Sequence, residues 1–168
     1  MKNKIPYISI GIDPSGMGTT GIVLRTYNYN YPKKWHDQLY CTNPIEAFEL
    51  IKLWIKEKMS NFYLDNIEIK TVAVELLHQG IEKHKEVKAT RELIGLLRYY
   101  FKFKFCGHLP HHKDKEDISK AILKHGKKNE HWIHAEAVLN SHFCEEKKSL
   151  TVEKFDWSKI TYGDKKNR

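Results

Sequence analysis

The sequence predicts a mixed α/β domain whose antiparallel strands come first and whose helices and strands alternate afterwards. Three observations point there: short β-branched runs near the N-terminus broken by Gly, Pro and Asn, a later apolar run between two long helical patterns, and a helical close. At 168 residues the chain suits one domain with one core. Hydrophobic residues at 40% and charged residues at 30% exclude a disordered or membrane-embedded composition.

YISIGID, Tyr7 to Asp13, is a short β-branched run stopped by Pro-Ser-Gly, and reads as a buried strand. After the glycine turn, TTGIVLRTYNY reads as a second strand and KWHDQLYC as a third. Asn43 is an N-cap with Pro44 at the first helical position, and Ala47, Phe48, Ile51, Trp54, Ile55 and Met59 form one apolar helix face. IKTVAVELL, Ile69 to Leu77, is a buried strand with Glu75 near its end. A long helix follows from about Lys83 to Phe103, with Ala89, Leu93, Leu96, Leu97, Tyr100 and Phe101 on one side and Ile94 on another. So wide an apolar band is expected to pack on the sheet and on a second subunit. KFKFCGHLP reads as a fifth strand, and KEDISKAILKHG and NEHWIHAEAVLNSHF as two helices. Residues 1–144 make the domain, and residues 145–168 a polar, basic tail.

The balance of 29 Lys+Arg against 21 Asp+Glu gives a formal charge of +8, which favours a polyanionic partner. Cys41, Cys106 and Cys144 are far apart with no CxxC, so neither a disulfide framework nor a zinc site is expected and a reducing compartment is. The N-terminal apolar stretch contains Pro6 and runs into Asp13 without a cleavage pattern, and no run approaches the roughly 18 residues of a membrane span. A cytoplasmic protein, of a cell or of an infected host, is the expectation.

Asp13 and Glu75 each close an apolar strand. Two readings fit Asp13: a metal ligand followed by glycines that turn the backbone and leave room for a phosphate, or the start of an Asp-Pro turn. Glu75 either sits in an apolar strand, where an unpaired carboxylate is costly, or leans into solvent at the strand end. Acids at neighbouring strand ends, joined by ligands from a terminal helix, can gather divalent ions that activate water against a phosphodiester.

GIDPSGMGTTG resembles the first motif of the RuvC-like Holliday junction resolvases of the RNase H-like superfamily, and VAVELL resembles their second, with Glu75 in the acidic place. KATRELIGLLRYYF resembles the following helix, which in that family packs across a homodimer. HLPHHKDKEDISKAI resembles their basic stretch leading into a helix, and HWIHAEAVLN the terminal helix. The likeness spans residues 7–143 and implies an RNase H-like mixed sheet of five strands flanked by helices. It also implies a metal-dependent homodimeric endonuclease that cuts opposed strands of four-way DNA junctions. The alternatives are a junction-binding protein without cleavage, and another RNase H-like nuclease acting on branched DNA or RNA-DNA hybrids. Actin-like and sugar-kinase phosphotransferases share an acid and a Gly/Thr turn after the first strand, but need two such domains.

The resemblance implies Asp13 and Glu75 as metal ligands, with two Mg2+ or Mn2+ ions. Where the family carries two aspartates on the terminal helix, this chain has His131 and His134, which share one helix face at i, i+3. Glu130 lies on that side, whereas Glu136 projects about 160° away from His134, so His134 is the first ligand candidate on this helix, His131 the second, Glu130 a helper and Glu136 structural. Imidazole in place of carboxylate lowers the negative charge and favours manganese over magnesium. Lys113 and Lys115 stand where the resemblance implies lysines reaching the scissile phosphate, Lys115 matching best. Lys83, Lys85, Lys88, Arg91 and Arg98, with Lys113 and Lys115, are candidates for DNA backbone contacts. The family's aromatic wedge is replaced by Leu77, His78 and Ile81. Tyr27, Tyr29 and Tyr31 alternate with asparagines, as expected of a strand or hairpin rather than a base-stacking platform.

Overall fold

The computed structural model describes residues 5–29, 32–62, 67–77, 84–110 and 113–151, with side chains as far as 143. Strands β1 (Tyr7–Asp13), β2 (Gly18–Tyr27) and β3 (Lys34–Cys41) are followed by helix α1 (Pro44–Ser60) and strand β4 (Glu68–Glu75). Helix α2 (Lys85–Phe101), strand β5 (Phe105–His108), and helices α3 (Lys115–His125) and α4 (Glu130–Thr151) complete the order. The five strands form one sheet ordered β3-β2-β1-β4-β5. β1 pairs antiparallel with β2 and parallel with β4, β2 pairs antiparallel with β3, and β5 lies parallel to β4. This is the RNase H-like mixed sheet expected.

Strand alternation divides the sheet into two unlike faces. Ile8, Ile10 and Ile12 of β1, Ile22 and Leu24 of β2, and Val72 and Val74 of β4 share one core with Ala47, Ile51 and Trp54 of α1 and Leu93, Leu97 and Phe101 of α2. The residues between them turn the other way and are small. There Val23 and Ala73 pack with Ala135, Val138 and Leu139 of α4. A Cβ on Gly11 would lie 2.2 Å from the Ala135 carbonyl oxygen, and one on Gly21 would lie 1.9 Å from that of His131. These two glycines therefore let α4 settle directly on the backbone of β1 and β2. The large-residue face builds the main core, and the small-residue face seats the helix that carries the two histidines.

Helix starts follow local chemistry. Asn43 accepts from the Glu46 backbone N–H at 2.9 Å, with Pro44 at the first turn, and the Glu46 carboxylate accepts in return from the Thr42 N–H and hydroxyl. Asp114 caps α3 by accepting from the N–H groups of Glu116 and Asp117. Several bounds differ from the sequence reading. β2 stops at Tyr27, because Asn28 enters the left-handed region at φ 54°, and Tyr31 lies outside the described residues. α2 ends at Phe101, because Lys102 takes φ 50°, so Lys102–Lys104 form a 3-10 turn and β5 shrinks to four residues. On α2, Tyr100 of the expected apolar side is exposed, and so are Tyr99 and Phe103 beside it. α4 continues to Thr151, seven residues into the segment expected as a tail, and the remainder of that segment lies outside the described residues. Among the described residues no helix is long and apolar enough to cross a membrane.

Candidate active site

Parity delivers the two acids to one place. Asp13 ends β1 on the same face as Gly11, and Glu75 ends β4 on the same face as Ala73, so both point toward α4. The parallel pair β1–β4 aligns Ile12 with Val74, which brings the two strand-end carboxylates level. Opposite Asp13 on β2 stands Gly21, whose missing side chain admits the first turn of α4. Gln38 of β3 fixes that turn, accepting from the His131 backbone N–H at 3.0 Å and donating to the Lys128 carbonyl at 2.7 Å. His131 then presents Nδ1 at 3.3 Å from Asp13 Oδ2. One turn on, a ring nitrogen of His134 and carboxylate oxygens of Asp13 and Glu75 all lie within 4.8 Å of one another.

Lys113, in the loop between β5 and α3, closes the site. Its Nζ donates to Glu75 Oε2 at 2.6 Å and lies 2.8 Å from His134 Nδ1, with the lysine side chain only 7% exposed. An ammonium only donates, so Nδ1 of His134 accepts and the ring proton sits on Nε2, which faces Glu130 Oε1 at 3.7 Å. Burial pushes the His134 pKa down, and the Lys113 charge adds to this, so the ring is held neutral. His131 moves the other way, raised chiefly by its hydrogen bond to Asp13. Desolvation, reinforced by the Asp13 charge, raises Glu75 to about 7 despite Lys113. The ionised form of this carboxyl is thus penalised first by burial and then by the neighbouring Asp13 charge.

Asp13, Glu75, His131 and His134 thus come together from β1, β4 and α4. Lys113 joins them, whereas Lys115, the better match by sequence, opens α3 as an exposed residue. Lys85 and Lys88 are exposed on the first turns of α2, Arg91 is half-buried there, and Lys83 and His78 lie outside the described residues. Glu136 stays away from the site, paired with Arg25 and with Lys34 at 3.0 Å. The glycine turn after Asp13 does not leave open space at Gly16: a Cβ there would lie 2.0 Å from the Ala89 backbone, and the Gly16 N–H donates to the Thr90 hydroxyl of α2. Gly18, at φ +105°, makes the turn itself. Gln38 is a residue that motif reading passes over, because a polar side chain on an exposed strand carries no pattern.

Two carboxylates and a neutral imidazole within reach of one another, with a lysine ammonium already drawn between two of them, are a donor set suited to a divalent cation. No protein-family model matches the sequence, and no curated protein matches it. The fold is nonetheless similar to that of solved proteins. A Thermus thermophilus RuvC structure superposes with a TM-score of 0.54 at 16% identity, covering 84% of this chain and 96% of that one. A second, T. thermophilus RuvC in complex with a Holliday junction substrate, gives 0.55 at 15% identity with the same coverage. The chain has a RuvC-like fold.

Proposed function

We propose that this chain is a metal-dependent endonuclease that resolves four-way DNA junctions by hydrolysing phosphodiesters on opposed strands, acting as a homodimer. The observation that carries the reading is the convergence of Asp13, Glu75, His131 and His134 on one point of a RuvC-like fold. The T. thermophilus protein of that fold is solved with a Holliday junction substrate, which supports branched DNA as the substrate here. Asp13, Glu75 and His134 would hold the metal, with His131 beside Asp13. A bound divalent ion supplies a water nucleophile at neutral pH and stabilises charge on the phosphate.

The chain's own residues prepare that chemistry. Glu75 is kept near its titration point by burial, so an approaching cation readily deprotonates it. Asp13 fixes the His131 ring through Nδ1, while in the metal-free chain Lys113 donates to Nδ1 of His134, the nitrogen that a bound metal would take over from it. With imidazole among the donors, manganese is the preferred ion. Lys85, Lys88, Arg91 and the exposed Lys115 hold the DNA backbone, which the +8 charge also favours. Exposed Tyr99, Tyr100 and Phe103 at the end of α2 support a partner subunit on that helix.

The test is nicking of a synthetic four-way junction in Mn2+, with binding measured in parallel. Asp13→Asn and Glu75→Gln are expected to abolish nicking and keep junction binding largely intact. Cleavage at the normal rate by either variant contradicts the ligand assignment. Junction binding without cleavage by the unaltered chain selects the binding-only alternative.

A further inference from the structure

We infer that Lys113 is a built-in cation of this site, its ammonium taking the place of a second divalent ion, so that the proposed centre holds one metal ion rather than two. The inference rests on the nuclease reading above and specifies its metal content. A lysine in a surface loop ordinarily extends into water. Lys113 instead folds inward until its side chain is 7% exposed, and its Nζ meets Glu75 Oε2 at 2.6 Å and His134 Nδ1 at 2.8 Å. Those acceptors belong to two of the three residues whose donor atoms lie within 4.8 Å of one another. The lysine therefore places one positive charge directly on the donor atoms for which metal ions at this cluster would compete.

Charge balance points the same way. The cluster offers two carboxylates, Asp13 and Glu75, together with the imidazoles of His131 and His134. One divalent ion offsets both carboxylates, and the ammonium already adds a further positive charge. A second dication would sit beside that ammonium, and like charges at such range in a half-buried site repel strongly, a repulsion that a neutral residue at position 113 removes. The neutral imidazoles on α4 and the ammonium of Lys113 between Glu75 and His134 both lower the positive charge that the cluster needs from bound ions.

Isothermal titration of the full chain with Mn2+ reads the stoichiometry directly. The expected result is one Mn2+ per chain, rising to two in Lys113→Met and staying at one in Lys113→Arg, which keeps the charge. If Lys113→Met loses its circular-dichroism signature, Lys113→Gln, whose amide can hydrogen-bond the same acceptors, replaces it with the same expectation. Two ions in the unaltered chain, or a single ion in the folded neutral variant at any affinity, overturns the inference while leaving the nuclease reading intact. No Mn2+ bound to the unaltered chain overturns both.

Discussion

Replacing Glu75 by Gln should stabilise the metal-free protein, and only at neutral to alkaline pH. The carboxyl is raised from 4.5 to about 7, first by burial and then by the Asp13 charge. A folded-state pKa above the unfolded one means that the native state keeps a proton which the unfolded chain has released. Stability is then fully present below about pH 4.5 and is lost as pH rises through about 7. At about 1.4 kcal/mol for each pH unit, the ionised Glu75 costs the fold about 3 kcal/mol at about pH 8 and under about 1 kcal/mol at about pH 5. Glutamine mimics the protonated acid and escapes that cost. Urea denaturation in chelator at both pH values measures it: Glu75→Gln should exceed the unaltered chain by about 3 kcal/mol at the higher pH and nearly match it at the lower. His131, also raised, adds a smaller loss of the same sign in both proteins, because it is half-exposed. Equal stability differences at the two pH values, or a less stable variant at about pH 8, would refute the argument that burial and Asp13 strain this carboxyl.

Other expectations follow from the seat of α4 and the surface. Gly21→Ala and Gly11→Ala each drive a Cβ into helix backbone and should cost about 1–3 kcal/mol or more in denaturant melts, whereas Gly95→Ala, with nothing within 4 Å, should be neutral or gain up to about 1 kcal/mol. Gln38→Ala removes the acceptor of the His131 N–H and should cost about 1 kcal/mol, with faster hydrogen exchange at that amide. Glu136→Gln should leave Mn2+ binding unchanged, since its partners are Arg25 and Lys34 rather than the site. Junction affinity should fall steeply from about 50 to about 200 mM salt, as a phosphate-held complex requires, and a flat response would contradict the roles of Lys85, Lys88 and Lys115.

Much of this arrangement was legible in the sequence because it rests on periodicity. The β-branched runs of β1 and β4 end in acids, and strand alternation alone assigns Asp13 and Glu75 to the face opposite the isoleucines and valines. Helical spacing likewise places His131 and His134 together and turns Glu136 away toward Arg25. What escaped has no period. Lys113 and Lys115 lie two residues apart at a loop-to-helix junction, where reach depends on the path of the chain, and the structure sends Lys113 inward and leaves Lys115 in water. β5 is expected within KFKFCGHLP, but its bounds escape, because only Phe-Cys-Gly-His pairs with β4 and that pairing sets its ends. The glycines after Asp13 read as room for a phosphate, yet at Gly16 that space belongs to α2, an arrangement set by tertiary packing across 74 positions.

The most direct test of the central claim compares Mn2+-dependent cleavage of a four-way junction with that of a linear duplex containing the same arm sequence. The proposal predicts paired cuts on opposed strands of the junction, an intact duplex, and no cutting in chelator. Equal cutting of the duplex, or a junction left whole with Mn2+ bound at Asp13 and Glu75, would contradict it.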